Sequence, residues 1–513
     1  MKHSSRAVAL AFLLLFLFVP PAAEAQRAPL RGLDAYIERA MRDWEVPGLA
    51  LAVVKDDSVV FARGYGVREL GRPERVDEHT VFAIASTTKA MSAASLGMLV
   101  DEGKLKWDDP ATQHLRGFQL ADPYVTRELT VRDLLSHRSG LPRGDLLWWA
   151  SPYDRAEVLQ RVRHLQPGWG FRAQYGYQNI MFLAAGELLA EVAGTTWDNF
   201  MGERLFRPLG MTRSSTTVHA LQGMENVATP HERIENAVRP IPWRSYDNLG
   251  AAGSVNSSVH DMAQWIRLNL NRGEYRGQRL LSDSVVKEMQ TPQTVIRTDT
   301  LAERLYPHTH FRAYGLGWSL QDYRGHKMVH HGGALDGMRT HVAMIPEEKL
   351  GVVVIANMEP TTLHVALVYR ILDAYLGAPA RDWSADLLAV ANRQRREAEQ
   401  RQDSIAQARV AGTSPSLPLE RYAGSYSGEM YGQMQVAHED GRLVLRFGPS
   451  WAGDLEHWHY DTFRVTWRDP SMGRSFVTFA LNAAGRVERM QIENFGDLTR
   501  QADPETTTAA GRQ

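Results

Sequence analysis

None of the 513 residues is cysteine, which excludes both disulfides and anchorage through a lipid-modified cysteine and leaves the fold to be held by its core alone. Charge of either sign is not in excess. The 58 Lys and Arg against 59 Asp and Glu give a formal net charge of −1, which argues against nucleic acid or anionic lipid as a partner. The chain also lacks an internal repeat of solenoid period and a phosphate-binding glycine loop after a strand. Its one long apolar run is at the start, from Ala7 to Val19, after Lys2 and Arg6 and before Ala23-Glu24-Ala25. That arrangement predicts a signal peptide over 1–25, cleaved near Ala25, and export to the periplasm or beyond. The run is short of the ~20 residues of a full span, so membrane contact is expected only where the segment stays uncleaved.

What is present begins with ordinary globular balance, 44% hydrophobic and 23% charged, in a chain long enough for two cores. Ser86-Thr87-Thr88-Lys89 sets a hydroxyl and an amine three residues apart at a predicted helix start, on one helical face. A serine alcohol is a weak nucleophile at neutral pH, and a lysine can take its proton where burial or nearby positive charge keeps the amine neutral. Ser-x-x-Lys alone is a weak signal, so its partners decide. Tyr177-Gln178-Asn179 opens the helical stretch IMFLAAGELLAEVAG, and His331-Gly332-Gly333 lies in the strand-like VHHGGALDGMRTHVAMI.

The order Ser-x-x-Lys, Tyr-x-Asn, then a basic residue followed by x-Gly resembles the penicillin-recognising serine hydrolases: class C β-lactamases, D,D-peptidases and their esterase relatives. The likeness extends to LTVRDLLSHRSGLP, YGLGW and IANM, covering about 45–380. It implies Ser86 as nucleophile of an acyl-enzyme, Lys89 and Tyr177 as the proton-handling pair, and Asn179 orienting Lys89 and a substrate amide. The backbone N–H groups of Ser86 and Ala334 would form the oxyanion hole, with Gly332 and Gly333 letting the strand come close. Whether Lys89 or Tyr177 leads as base stays open. Where the antibiotic-degrading members carry Lys-Thr-Gly, this chain has His331-Gly332-Gly333, losing a permanent cation. Esters and (D-amino-acid) peptides or amides are therefore favoured over penicillins, and a true class C-like β-lactamase or carboxypeptidase is the alternative enzyme. A silent peptidoglycan or peptide sensor is the non-enzymatic one. The partner is a small ester, peptide or cell-wall-derived molecule. No cofactor or metal is implied, and an oligomer is compatible with everything in the sequence.

The fold class is α+β, an antiparallel sheet flanked by helices plus a helical subdomain of β-lactamase/transpeptidase type over 26–380, followed by a small antiparallel β-barrel. Between them, 381–415 is highly charged and reads as a solvated linker. From 416 to 500, short alternating strands joined by Asp-Gly, Asp-Pro and Ala-Gly turns resemble a lipocalin-like domain, and 501–513 reads as a disordered tail. Other features read as structural. His308-x-His310 and His457-x-His459 lack further ligands at zinc spacing. His137 reads as a turn-stabilising residue, Arg339 as a strand-surface arginine, and Trp148-Trp149 as equally suited to an acyl pocket or to packing.

Overall fold

A computed structural model describes residues 26–502; the expected signal segment and the tail from 503 onward lie outside the described residues. Helix α1 (Leu33–Trp44) precedes the hairpin β1 (Gly48–Lys55) and β2 (Ser58–Gly66), which turns at Asp56-Asp57. The rest of the sheet comes late in the chain: β3 (Thr294–Ile296), β4 (Arg312–Tyr314), β5 (Ser319–Tyr323), β6 (His326–Leu335), β7 (Met338–Ile345) and β8 (Leu350–Ala356). Eight strands pair antiparallel in the order β2-β1-β8-β7-β6-β5-β4-β3.

Side-chain alternation sends each central strand into two cores. Ala50, Ala52, Val54, Val353 and Ile355 point to one face, and Leu49, Leu51, Val53, Val352 and Val354 to the other. The second face is covered by α1 and by α5 (Leu363–Tyr375). The first carries α2 (Thr88–Asp101), α3 (Asn179–Ala193) and α4 (Val259–Leu270). Every residue of α2 from Thr88 to Leu99 is buried, so this helix sits inside the molecule and carries the polar Lys89, Ser92 and Ser95 with it. Ser258 caps α4 by accepting the Asp261 N–H at 3.2 Å.

Helix α6 (Trp383–Gln407) departs from a purely solvated linker. Its exposed, charged stretch begins only after two turns. Trp383, Ser384 and Leu387 are buried, and Trp383 stacks on Tyr369 and donates to Asp373 at 2.7 Å. Beyond it, strands β9 (Gly424–Gly428), β10 (Gly432–Glu439), β11 (Arg442–Phe447), β12 (Trp451–His459), β13 (Thr462–Trp467), β14 (Arg474–Leu481), β15 (Val487–Ile492) and β16 (Gly496–Arg500) close an up-and-down barrel. Its interior is filled by Tyr422, Tyr426, Leu445, Phe463, Phe479 and their neighbours, as in other small barrels. In such a barrel alternate turns share an end, so those after β9, β11, β13 and β15 lie together. That end meets the sheet-and-helix part: the Tyr153 hydroxyl donates to Tyr431 O at 2.5 Å, and Trp149 packs edge-on against Trp451, ring centres 5.2 Å apart.

Candidate active site

Ser86 occupies a 3-10 turn, Ala85–Thr87, that runs directly into α2. The turn is tight. Ala85 takes a left-handed φ of 49°, a conformation that costs a non-glycine residue about 1–3 kcal/mol and persists only where its surroundings enforce it. Enforcement comes from both sides: Thr87 donates its N–H and its hydroxyl to Ile84 O, at 3.2 and 2.8 Å, and β6 lies against the turn at Gly333. A Cβ on Gly333 would stand 2.3 Å from Ile84 O and 3.1 Å from the Ala85 Cβ, whereas one on Gly332 would meet nothing nearer than 3.7 Å. The glycine pair therefore divides its work: Gly333 admits the backbone of the Ser86 turn, and Gly332 is under no such constraint. Ala334, one residue further on, is exposed.

One turn into α2, Lys89 is fully buried. Its Nζ lies 3.0 Å from Ser86 Oγ, 2.8 Å from Asn179 Oδ1 and 2.6 Å from Ala252 O. Burial, aided by the Arg143 charge, holds its pKa well below the usual lysine value. Its hydrogen bonds suit either protonation state. A neutral amine gives two N–H to Asn179 and Ala252 and accepts the Ser86 O–H, while an ammonium donates to all three. Tyr177, half-buried, is hydrogen-bonded to Ser86, and burial pushes its phenol upward, against that hydrogen bond, so it holds its proton. The two partners left undecided by the sequence are thus shifted in opposite directions.

Behind this group stands a second layer that the motifs do not contain. Asn179 begins α3, where Gln178 caps the helix by accepting the Ile180 N–H at 2.8 Å, and the Asn179 Nδ2 donates to Asp145 Oδ1 at 3.1 Å. Asp145 in turn pairs with Arg143, whose guanidinium lies 5.2 Å from the centre of the Tyr177 ring. His137, with φ of 56°, accepts the Gln178 N–H on Nδ1 at 3.1 Å and so fixes the backbone between Tyr177 and Asn179, a turn-stabilising role. Tyr314 of YGLGW is buried and donates to His331 Nε2 at 2.8 Å, while His331 Nδ1 bonds Gly332 O at 2.7 Å. Both imidazole nitrogens are thereby engaged within the protein. Burial beside Lys89 brings His331 down to about 3, so it is neutral. Gly317 of the same motif, at φ 74°, lets its loop touch Lys89 O, where a Cβ would come within 2.7 Å.

Arg339, read as a strand-surface arginine, is partly buried and paired with Glu359; the arginine beside the site is Arg143. No spacing signal marks Arg143, Asp145 or the Ala252 carbonyl, because each is brought in by tertiary packing. Trp149 donates to Asp336, in the turn after β6, at 3.1 Å and sits under Arg244, which joins Asp336 to Asp469 of the barrel at 2.8 and 2.9 Å. It thus packs between the two parts. His310 pairs with Asp322, and His457 and His459 bond nearby backbone. Among the described residues, Glu232, Asp336 and Glu359 are the one trio close enough to share an ion, and two of them are already paired with arginines.

Comparison with known proteins gives the family and the fold. The barrel region, residues 408–508, matches a domain of unknown function (DUF3471). The solved octameric penicillin-binding protein homologue from Pyrococcus abyssi superposes with a TM-score of 0.62 at 21% identity, covering 92% of this chain and all of that one. SurE superposes at 0.54 and 21% identity, over 93% of this chain and all of that one. Protein flp of Staphylococcus aureus is 24% identical over 64% of this chain and 62% of its own. The unguisins hydrolase ungD of Aspergillus violaceofuscus is 30% identical over 480 residues, 85% of this chain and 83% of its own. With that relative, and with the Beta-lactamase family model matching residues 33–376, the chain belongs to the beta-lactamase family.

Proposed function

We propose that the protein is a serine hydrolase that forms an acyl-enzyme on Ser86 and acts on esters and on peptides or amides, including those of D-amino acids, with weak turnover of β-lactams. The observation that carries this reading is the buried Lys89 amine 3.0 Å from Ser86 Oγ with its other two contacts on acceptors. As Ser86 Oγ bonds to the carbonyl carbon, its proton passes to Lys89 Nζ, and the carbonyl oxygen becomes an oxyanion held by the Ser86 and Ala334 N–H groups. On collapse, Tyr177 gives its proton to the departing alkoxide or amine and is reprotonated from Lys89. Water then retraces the steps to release the acid.

The substrate class follows from charge. A neutral His331 bound to Tyr314 leaves that position without the cation that would hold a substrate carboxylate. A relative named as a hydrolase of unguisins supports hydrolysis, and a SurE structure solved with D-Leu supports D-amino-acid groups among the substrates. The test is labelling with a fluorophosphonate followed by mass spectrometry. The adduct is expected on Ser86, and Ser86→Ala should lose both labelling and turnover of p-nitrophenyl acetate. An adduct on another serine, or turnover retained by the variant, would overturn the reading.

A further inference from the structure

The barrel interior is filled by its own buried side chains, and its docked end leaves a cleft of about 400 Å³ facing residues 143–149, within the size range of small-molecule sites. Its walls are aromatic and already in place. Trp149 meets Trp451 at 5.2 Å, Trp451 meets Phe495 at 5.3 Å, and Phe495 meets Tyr431 at 5.1 Å, all edge to face. Two charges of opposite sign, Arg474 and Glu493, also line it, and neither has an ion-pair partner among the described residues; Glu493 accepts only the Phe476 N–H at 3.4 Å. Two of its lining side chains also touch the reacting centre. Arg143 lines it and also lies over the Tyr177 ring, and Asp145 lines it and also bonds Asn179.

We infer that this cleft is a substrate subsite contributed jointly by the two parts of the chain, and that it takes a bulky apolar or aromatic side chain of a peptidic acyl donor. The rings supply a rigid apolar slot, and Arg474 and Glu493 supply a donor and an acceptor for peptide groups or chain ends at its edge. This deepens the proposed hydrolase reading and rests on it. The barrel is then a specificity element, and the mouth turns are the part that acts. Its own core takes no part in binding.

The experiment compares kcat/KM for p-nitrophenyl acetate with that for the p-nitrophenyl ester of an N-acetyl phenylalanyl dipeptide, in D and L forms, on the full-length protein. Trp451→Ala and Arg474→Glu should each lower the dipeptide-to-acetate ratio about tenfold, and Trp451→Phe should recover most of it. Thermal unfolding identifies a Trp451→Ala protein that has lost its barrel, in which case Arg474→Glu, an exposed change, decides. A ratio within twofold of wild type in folded Arg474→Glu, or in a Trp451→Ala protein that keeps its barrel, would overturn the subsite. Failure of the acyl-enzyme reading is recognised separately, as turnover that survives Ser86→Ala.

Discussion

Adding one methyl group at Gly333 should disable the site from behind. The new Cβ would stand 2.3 Å from Ile84 O, an atom that already accepts two hydrogen bonds from Thr87 and so cannot swing away freely. Restoring ordinary contact requires the strand and the turn to part by about 1 Å, and a misplacement of that size at reacting groups costs on the order of 100-fold in rate. Gly333→Ala is expected to lower kcat/KM for p-nitrophenyl acetate by about that factor. Gly332→Ala, with nothing nearer than 3.7 Å, serves as the matched comparison and should remain within about threefold, the scale of a substitution that displaces nothing. The assay is steady-state hydrolysis beside thermal unfolding, so that loss of fold is separated from loss of geometry. Wild-type turnover in a folded Gly333→Ala protein would refute the claim that β6 holds the Ser86 turn in place. Equal losses in the two variants would point instead to both glycines facing substrate.

Three further outcomes are expected. Because burial lowers the Lys89 pKa, kcat/KM should rise with pH and level off below the usual lysine value; Lys89→Arg, which stays charged, should lose about 2–4 orders of magnitude and gain nothing at high pH. A stopped rise with intact activity in that variant would make Lys89 structural. His331, down to about 3, and His341, down to about 4, are buried and neutral, so the unfolded chain binds more protons than the folded one below about pH 6.5. Stability is then full above that pH and falls as it drops, by about 1.4 kcal/mol per pH unit for each such histidine; urea midpoints at pH 7 and 5 measure this, and equal midpoints would contradict it. A chain ending after Gln407 should still label at Ser86, whereas one ending after Ala380 loses the buried Trp383 and about 3–5 kcal/mol with it; a folded Gln407 truncation that cannot be acylated would show that the barrel completes the chemistry.

The sequence displays those parts of the site whose spacing is local. Ser86 and Lys89 are one helical turn apart, and Tyr177 and Asn179 flank a helix cap, so short motifs carry them. The continuous apolar runs LALAVV and LGVVVIA likewise announce buried strands. The second layer escapes this reading because its contacts are distant in the chain: Asp145 reaches Asn179, and Ala252 reaches Lys89, across 34 and 163 residues. Gly332 and Gly333 look equivalent as a pair, and only the position of Ile84 separates them. Composition failed at Trp383 for a related reason. A window averaged over the charged segment conceals two apolar turns at its beginning.

Helix α6 has a mechanical consequence. Its first turns are embedded against α5, and at its far end Arg409 donates to the Trp458 and His457 carbonyls of the barrel, at 2.8 and 3.0 Å. A 25-residue helix is a strut of about 37 Å, and each residue added to it advances the far end by about 1.5 Å and rotates it by about 100°. Placement of the barrel is therefore a matter of phase as well as length. One inserted alanine would aim the barrel mouth away from residues 143–149, while seven would bring the rotation nearly full circle and leave chiefly an axial offset. Evolution of this protein can change the mouth turns residue by residue, but the number of residues in the strut is fixed by the angle at which the mouth must arrive.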